Sequence, residues 1–198
     1  HVAKCTGALS FVVDRQGIAA QSLADKVGDH PSVVQAHIRH IGIKDTHNAR
    51  LEVVEAMQTS ITHRPFYQQS EPVSDDGAFG AASLVFPADD AAASNTYHDE
   101  AFDVWLHGEL LDDDSTAQPG DPPAERLAHQ VDAHDDFRSL RRFDGLFAAV
   151  VHDKSAGQLH LMTDRLGLKF LFWSSIDGQL VWGTEVKSFL AHPDFRPA

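Results

Sequence analysis

The most reactive side chains in this sequence are one cysteine, Cys5, and 13 histidines. A thiolate is both a nucleophile and a metal ligand, so Cys5 is the first candidate catalytic residue. A single cysteine excludes an internal disulfide and an all-cysteine zinc cluster. His37 and His40 stand three residues apart, but no carboxylate or third histidine follows at a matching spacing. We therefore expect no metal site, and we interpret the histidines as surface residues.

The charge balance excludes several classes of partner. The chain has 198 residues and a net charge of −13, from 29 acidic and 16 basic residues. The longest basic stretch is Arg138–Arg142, so we expect no nucleic-acid partner. No apolar run approaches the roughly 20 residues of a membrane span, and the N-terminus resembles no secretory signal. A protein of the cytoplasm, without a membrane partner, is the expectation.

The first part of the chain predicts one strand and several helices. Gly7–Val13 alternates small and apolar residues, as in a strand. Ser22 with Asp25 three residues later indicates a helix start, and Pro31 opens a second helix with apolar residues at helical spacing. About residues 22–44 are therefore predicted to be helical. Asn48 caps a further helix, whose apolar stripe consists of Val53, Val54, Met57 and Ile61.

The second part predicts mainly strands, with helices after Asp121 and at Glu185–Leu190. The predicted strands are Phe79–Phe86, Phe102–Leu106, Leu146–Val151, Gln158–Met162, Leu168–Trp173 and Leu180–Gly183. Leu146–Val151 is a continuous apolar run, so we expect a buried central strand with Phe147 and Val150 in the core. Strands in antiparallel pairs with helices grouped between them indicate a single α+β layered domain over residues 1–198.

Ordered sequence motifs resemble the N-terminal glutaminase domain of asparagine synthetases. The clearest are Asp164–Lys169, Leu171–Trp173 and Gly183–Leu190, which are similar to that family's Asp-Arg-Leu-Gly turn, aromatic pair and Glu-x-Lys helix start. Two more are Leu140–Ala148 and Leu106–Leu110, the second with His107 where the family has asparagine in Asn-Gly-Glu. Weaker similarities lie at Met57–Pro65 and Gly80–Phe86. Residues 22–44 look like a helical insertion.

The resemblance implies an N-terminal-nucleophile (Ntn) hydrolase fold, an αββα sandwich of two stacked antiparallel sheets. It implies a cysteine nucleophile whose free α-amine is the base, for which an α-amine is suited because it titrates near 8. Carried over by position, the site residues are the nucleophile Cys5, the oxyanion positions His107 and Gly108, the substrate-binding remnants Arg64, Glu109 and Asp121, and the structural turn Asp164, Arg165 and Gly167. In that turn we expect Asp164 to be buried and hydrogen-bonded to backbone amides. We also expect Gly167 to have a positive φ and Arg165 to pair with an acidic neighbour.

Several departures from the family predict a degenerate site. Cys5 follows four residues and so has no free α-amine as printed, and a one-residue shift would make Thr6 the nucleophile. His107 replaces the oxyanion asparagine, and Gly80–Ser83 lacks the arginine that would bind the glutamine carboxylate. Such domains resemble those of β-lactam synthetases and lasso-peptide macrolactam synthetases, whose ATP-using domain carries the chemistry.

These observations leave three hypotheses. We favour a domain or subunit that docks an ATP-dependent synthetase acting on a peptide or small-molecule carboxylate, with no cofactor of its own; ATP and Mg²⁺ belong to that partner. The alternative is an active glutaminase that uses Cys5 after N-terminal trimming to supply ammonia. The third is a free-standing binding protein of this fold. The sequence printed ends where the synthetase domain of the family would begin.

Overall fold

The computed structural model of the chain describes residues 2–4, 8–14, 17–22, 32–33, 39–44, 51–71, 73–75, 79–85, 95–112, 122–133 and 143–197. The strands within these residues are β1 (Ala3–Lys4), β2 (Ala8–Asp14), β3 (Gly17–Ser22), β4 (Ser32–Val33), β5 (Arg39–Lys44), β6 (Gln68–Gln69), β7 (Val73–Asp75), β8 (Phe79–Val85), β9 (Thr96–His98), β10 (Phe102–Asp112), β11 (Phe143–Asp153), β12 (Gln158–Thr163), β13 (Phe172–Ile176) and β14 (Gln179–Gly183). The helices are α1 (Leu51–Ile61), α2 (Pro123–Ala133) and a final 3-10 helix (Val186–Ala191).

The described strands form two sheets in which every pairing is antiparallel. The first sheet has the order β1-β13-β14-β5-β8-β6, with β7 also paired to β8. The second has the order β3-β2-β12-β11-β10-β4, with β9 also paired to β10. The longest pairing joins β10 to β11, from Phe102 opposite Asp153 to Asp112 opposite Phe143. These two strands carry residues of the site that is described below.

The two sheets pack face to face through one apolar cluster. Successive side chains of a strand point to opposite faces, so alternate residues of each strand reach this interface. Trp105, Val150 and Leu161 come from the second sheet, and Leu180 and Trp182 from the first. All five are nearly inaccessible to solvent.

The intervening residues of the same strands pack against helices. On the outer face of the first sheet, Val181 packs with Met57 of α1 and with Phe189 of the 3-10 helix. On the outer face of the second sheet, Val151 packs with Leu127 of α2. The layer order is therefore helix, sheet, sheet, helix, and the predicted αββα sandwich is confirmed.

The prediction of a helical insertion over residues 22–44 is wrong wherever this stretch is described. Ser22 ends β3, residues 32–33 are β4, and Arg39–Lys44 is β5. β5 lies between β14 and β8 and is hydrogen-bonded to both, so it is an interior strand of the first sheet. Its isoleucines, Ile41 and Ile43, are β-branched, which favours strands. In a short apolar run, the spacing of apolar residues does not distinguish a helix from a strand. Residues 23–31 and 34–38 lie outside the described residues.

Other predictions for the second part of the chain hold, with shifted boundaries. Phe147 and Val150 are buried on opposite faces of β11, as expected for a central strand. The hairpin from β11 to β12 and the helix after Asp121 are confirmed. The strand predicted over Leu168–Trp173 instead begins at Phe172, because the residues before it are held in a turn. No helix within the described ranges is long and apolar enough to cross a lipid bilayer.

Candidate functional site

Asp164 organises the turn after β12. Its carboxylate is 1% exposed and accepts hydrogen bonds from the amides of Leu166 (2.9 Å), Leu168 (3.0 and 3.1 Å) and Lys169 (3.0 Å). Gly167 has a φ of 60°, a conformation that glycine adopts without strain. The predicted burial of Asp164 and the positive φ of Gly167 are thus confirmed. Arg165 is exposed, and its pairing with an acidic neighbour stays a prediction.

At Gly108, β10 lies close against the backbone of β11. This glycine has a φ of 104°, and a Cβ placed there would stand 1.9 Å from the carbonyl oxygen of Leu146. That same Cβ would stand 3.0 Å from Cγ of Lys169, so the lysine stem passes directly over the glycine. Only glycine fits this position without moving the backbone. The turn that Asp164 holds is thereby brought against an expected oxyanion position.

A pocket of about 300 Å³ opens beside these residues. It is lined by His63, His107, Leu168, Lys169, Phe170, Thr184 and Glu185. These residues come from the segment after α1, from β10, from the turn that Asp164 organises, and from the link between β14 and the 3-10 helix. Four separate segments therefore converge on one recess.

Lys187 links two of the lining residues. Its Nζ lies 3.4 Å from Oε2 of Glu185 and 3.0 Å from Nδ1 of His63. An ammonium group only donates hydrogen bonds, so Nδ1 of His63 accepts, and this contact assigns the imidazole proton to Nε2. The charge of Glu185 is thus balanced locally by Lys187.

Lys169 is the other cation at the pocket. Its side chain is half-buried, and its ammonium makes no hydrogen bond or ion pair with any residue that the structure describes. An ammonium group attracts anions and donates charge-assisted hydrogen bonds to them. The lining thus contains one cation, Lys169, and one anion, Glu185, and Lys187 lies next to Glu185 outside the lining.

Exposed apolar side chains line the pocket or neighbour its lining residues. Leu168 and Phe170 line it and are 53% and 51% exposed. Leu166, in the same turn, is 74% exposed, and Val186, next to Glu185, is 47% exposed. Phe66 is 49% exposed and stacks edge-on to Tyr67, which in turn contacts His63. We call the group Phe66, Leu166, Leu168, Phe170 and Val186 the apolar rim.

The structure brings only some of the expected site residues together. His107 lines the pocket, and Gly108 follows it in β10. Glu109 is half-buried and is not a lining residue. Arg64 is exposed in the turn after α1, beside the lining residue His63. Cys5, Thr6 and Asp121 lie outside the described residues.

Several lining residues have roles that the sequence did not assign. Lys169, Thr184 and Glu185 lie inside the motifs that carry the family resemblance, and this was the only signal for them. His63 lies inside the weaker similarity at Met57–Pro65, but its contact with Lys187 has no local signal because it joins residues 124 positions apart.

The interpretation of the histidines as surface residues is wrong for three of them. His152, His160 and His192 are at most 2% exposed. His192 Nε2 lies 2.9 Å from Oε1 of Gln179, and His152 Nδ1 lies 3.3 Å from Oδ2 of Asp103. Hydrogen-bonding partners make their burial tolerable, and sequence alone does not reveal such partners.

Asp103 is the centre of a second ionisable cluster, at the start of β10. Its carboxylate is 1% exposed and lies 3.0 Å from His98 Nδ1, 3.3 Å from His152 Nδ1 and 2.9 Å from Lys154 Nζ. Burial opposes the ionisation of Asp103, but the hydrogen bonds with these three residues outweigh it and hold its pKa below the usual value. Among the described residues, no group of three or more His, Cys, Asp or Glu side chains is arranged to hold a metal ion.

Comparison with known proteins finds a family match in the C-terminal part of the chain, which supplies five of the seven lining residues of the pocket. Residues 124–198 match the family model described as a glutamine amidotransferase domain. The chain is 35% identical to asparagine synthetase [glutamine-hydrolyzing] 2 of Bacillus subtilis (strain 168) over 49 residues, which are 25% of this chain and 7% of that protein. It is 38% identical to asparagine synthetase [glutamine-hydrolyzing] 3 of the same organism over 53 residues, 27% of this chain and 9% of the relative. The chain thus spans a small part of these relatives, and the findings support a glutamine amidotransferase domain similar to theirs.

Proposed function

We propose that this chain is the glutamine-amidotransferase-like domain or subunit of an amide-bond-forming enzyme of the asparagine synthetase type. Its role is to dock the ATP-dependent synthetase rather than to cleave glutamine. The observation that carries this proposal is the apolar rim around the pocket. ATP and Mg²⁺ act in the synthetase partner, on a peptide or small-molecule carboxylate.

The rim has the character of an interaction surface. Soluble monomers rarely expose many large apolar side chains in one area, and interface cores are apolar and depleted in charge. The four rim residues Leu166, Leu168, Phe170 and Val186 lie within the matched glutamine amidotransferase segment. The named relatives are synthetases of which the alignment covers less than a tenth. A synthetase domain is therefore the occupant that we assign to this surface.

Two features of the described residues argue against glutamine cleavage. β8 is present as a strand, but Gly80–Ser83 within it carries no cationic side chain to bind a glutamine carboxylate. At the oxyanion position, His107 presents an imidazole where the family has an amide donor. An imidazole also carries an N–H donor but places it differently from an asparagine amide, and an oxyanion that loses a donor is disfavoured by roughly 10²–10³ in rate. Both changes weaken the same reaction, one at binding and one at the transition state.

The alternative function is an active glutaminase. The match to a glutamine amidotransferase domain favours it. It requires that Cys5 become the first residue, because the α-amine is then the base. Glutamate production by the complete protein separates the two functions.

Docking is tested by removing one rim residue. Phe170→Ser should weaken binding to the synthetase partner at least tenfold in isothermal titration calorimetry, because a large exposed aromatic contributes most where it becomes buried. Leu51→Ser is the matched control, since Leu51 is 38% exposed at the far end of α1. Equal affinities of the two variants for the synthetase would contradict the docking role.

A further inference from the structure

We infer that the face around the apolar rim takes an acidic surface of the synthetase, so that the partner contributes carboxylates as well as apolar side chains. The inference rests on the proposed function and adds the charge of the occupant to it. It is carried by basic residues, which are concentrated around the rim although the chain as a whole is strongly acidic.

Basic residues stand beside the rim residues along the chain. Each of the four is one or two positions away from a member of the apolar rim. They are Arg64, Arg165, Lys169 and Lys187. Both arginines are exposed and both lysines are half-buried, so all four charges lie at the surface that a docked partner would cover.

The charge around the rim has the opposite sign to that of the whole chain. The three segments that carry the rim, residues 62–67, 164–170 and 184–187, hold these four cations and two acidic residues, Asp164 and Glu185. Of the 16 basic and 29 acidic residues of the chain, 12 basic and 27 acidic ones are therefore left elsewhere. A local excess of cations gives this face a positive potential on a chain of net charge −13.

The two acidic residues are already engaged within the chain. Asp164 is 1% exposed, and its carboxylate accepts hydrogen bonds from backbone amides. Glu185 lies 3.4 Å from Lys187. Arg64 and Lys169 make no ion pair with any residue that the structure describes, so they remain for carboxylates of a partner.

This distribution of charge favours one orientation of an acidic partner. Charges at the edge of an interface act mainly on the rate of association and on specificity. The face around the rim attracts an acidic surface, whereas the acidic remainder of the chain repels it. A basic surface would instead be attracted to the acidic remainder and would not be directed to the rim. We therefore assign an acidic surface to the partner.

The test is the rate of association of the 198-residue chain with its synthetase partner, measured by stopped-flow fluorescence at increasing concentrations of NaCl. Salt screens exposed charges, with a screening length of about 10 Å at 0.1 M and about 3 Å at 1 M. We expect the association rate constant to fall at least tenfold between these two concentrations, and the dissociation rate constant to change little. Arg64→Glu should lower the association rate constant about fivefold or more at 0.1 M and have little effect at 1 M.

Arg196→Glu is the matched control, because it makes the same change of charge at an exposed arginine away from the rim. Arg196 lines a recess with Ile176 and Asp177, at the far end of β13 from Phe170. A strand of five residues spans roughly 15 Å, which exceeds the screening length at 0.1 M. Its association rate constant should stay within about twofold of that of the parent chain.

The sign of the local potential is measured without any partner by NMR relaxation of the chain with an anionic and a cationic nitroxide. We expect the anionic probe to relax the amides of residues 164–170 and 184–187 more strongly than the cationic probe does. The amides of the exposed Glu52 and Glu55 on α1 should show the reverse. A stronger effect of the cationic probe at the rim would overturn the inference.

The association data separate the inference from the proposed function. Association that is independent of salt or becomes faster with salt would overturn the inference and leave the docking role intact. Equal losses in Arg64→Glu and Arg196→Glu would also overturn it. Absence of any association would contradict the proposed function itself. If Arg64→Glu does not fold, the salt dependence of the parent chain and the nitroxide measurement decide.

Discussion

Gly108 of β10 lies against the carbonyl oxygen of Leu146 in β11, with 1.9 Å between that oxygen and the place where a Cβ would be. The contact lies at the middle of the longest strand pairing, directly after His107. It fixes the path of β10 past the pocket and leaves a surface over which the Lys169 stem packs. The fold and the site therefore depend on the same glycine.

Gly108→Ala should destabilise the chain by several kcal/mol, about 1–2 for the positive φ and more for the backbone clash. Gly178→Ala is the matched control, because Gly178 has a φ of 79° but a Cβ there meets nothing within 4 Å. We expect Gly178→Ala to lose only the stability that comes from the positive φ, about 1–2 kcal/mol. Urea unfolding of both variants measures the difference, and equal losses would show that β10 and β11 are not this close.

Asp164→Ala should lower the free energy of unfolding by roughly 1–3 kcal/mol, because three backbone amides lose a buried acceptor. The control is Glu55→Ala, which removes an exposed carboxylate from α1 and should be neutral within about 0.5 kcal/mol. Denaturant midpoints compare the two. An Asp164→Ala midpoint equal to that of the parent would refute the proposed role of this turn.

Phe147→Ala should cost roughly 3–5 kcal/mol, because the ring is 6% exposed and packs between the second sheet and α2. Leu166→Ala, at a residue that is 74% exposed, should change stability by less than about 0.5 kcal/mol in the isolated chain. Chemical denaturation with an unchanged m-value is the measurement. A loss below about 1 kcal/mol for Phe147→Ala would mean that β11 is not a central strand.

The buried His160 predicts a pH dependence of stability. Burial lowers its pKa from 6.5 to about 4, so the neutral form is favoured in the folded state. Stability is complete above pH 6.5, falls as the pH drops from 6.5 towards 4, and levels off below that, since the unfolded chain binds the proton first. One pKa unit corresponds to about 1.4 kcal/mol, so we expect a total effect on the order of 3 kcal/mol.

His160→Gln should flatten this part of the pH profile in urea titrations between pH 7 and pH 4.5. His129→Gln, at an exposed histidine of α2, should leave the profile unchanged. The depressed pKa of Asp103 affects stability in a lower pH range. A carboxylate whose pKa is lowered by folding loses its contribution to stability only as the pH falls below its usual pKa of 3.8. An equally steep profile in His160→Gln would show that this histidine is not the cause.

The sequence predicts the layers of this fold better than its details. The continuous apolar run at Leu146–Val151 and the helical stripe at Val53–Ile61 are local patterns, and both predictions hold in the structure. The stretch around β5 fails because Ile41 fits either period. Its strand conformation is decided by pairing with β14 and β8, which are distant in sequence.

The pocket was beyond prediction for a similar reason. The sequence identifies Asp164 and Gly167, because a turn with a buried Asp and a glycine is a local pattern. It does not show that Lys169 packs over Gly108 or that Lys187 reaches His63, since such contacts depend on how the sheets and helices are stacked. The partners that bury His152 and His192 are likewise set by tertiary structure.

The most direct measurement is glutamate release from glutamine by the complete protein with its synthetase partner, compared with the Cys5→Ala variant. We expect no release above background in either protein, because the oxyanion position is His107 and β8 carries no carboxylate-binding arginine. Normal folding of the variant is checked by its denaturant midpoint. Glutamate release well above background that disappears in Cys5→Ala would contradict the proposed function and establish the active glutaminase instead.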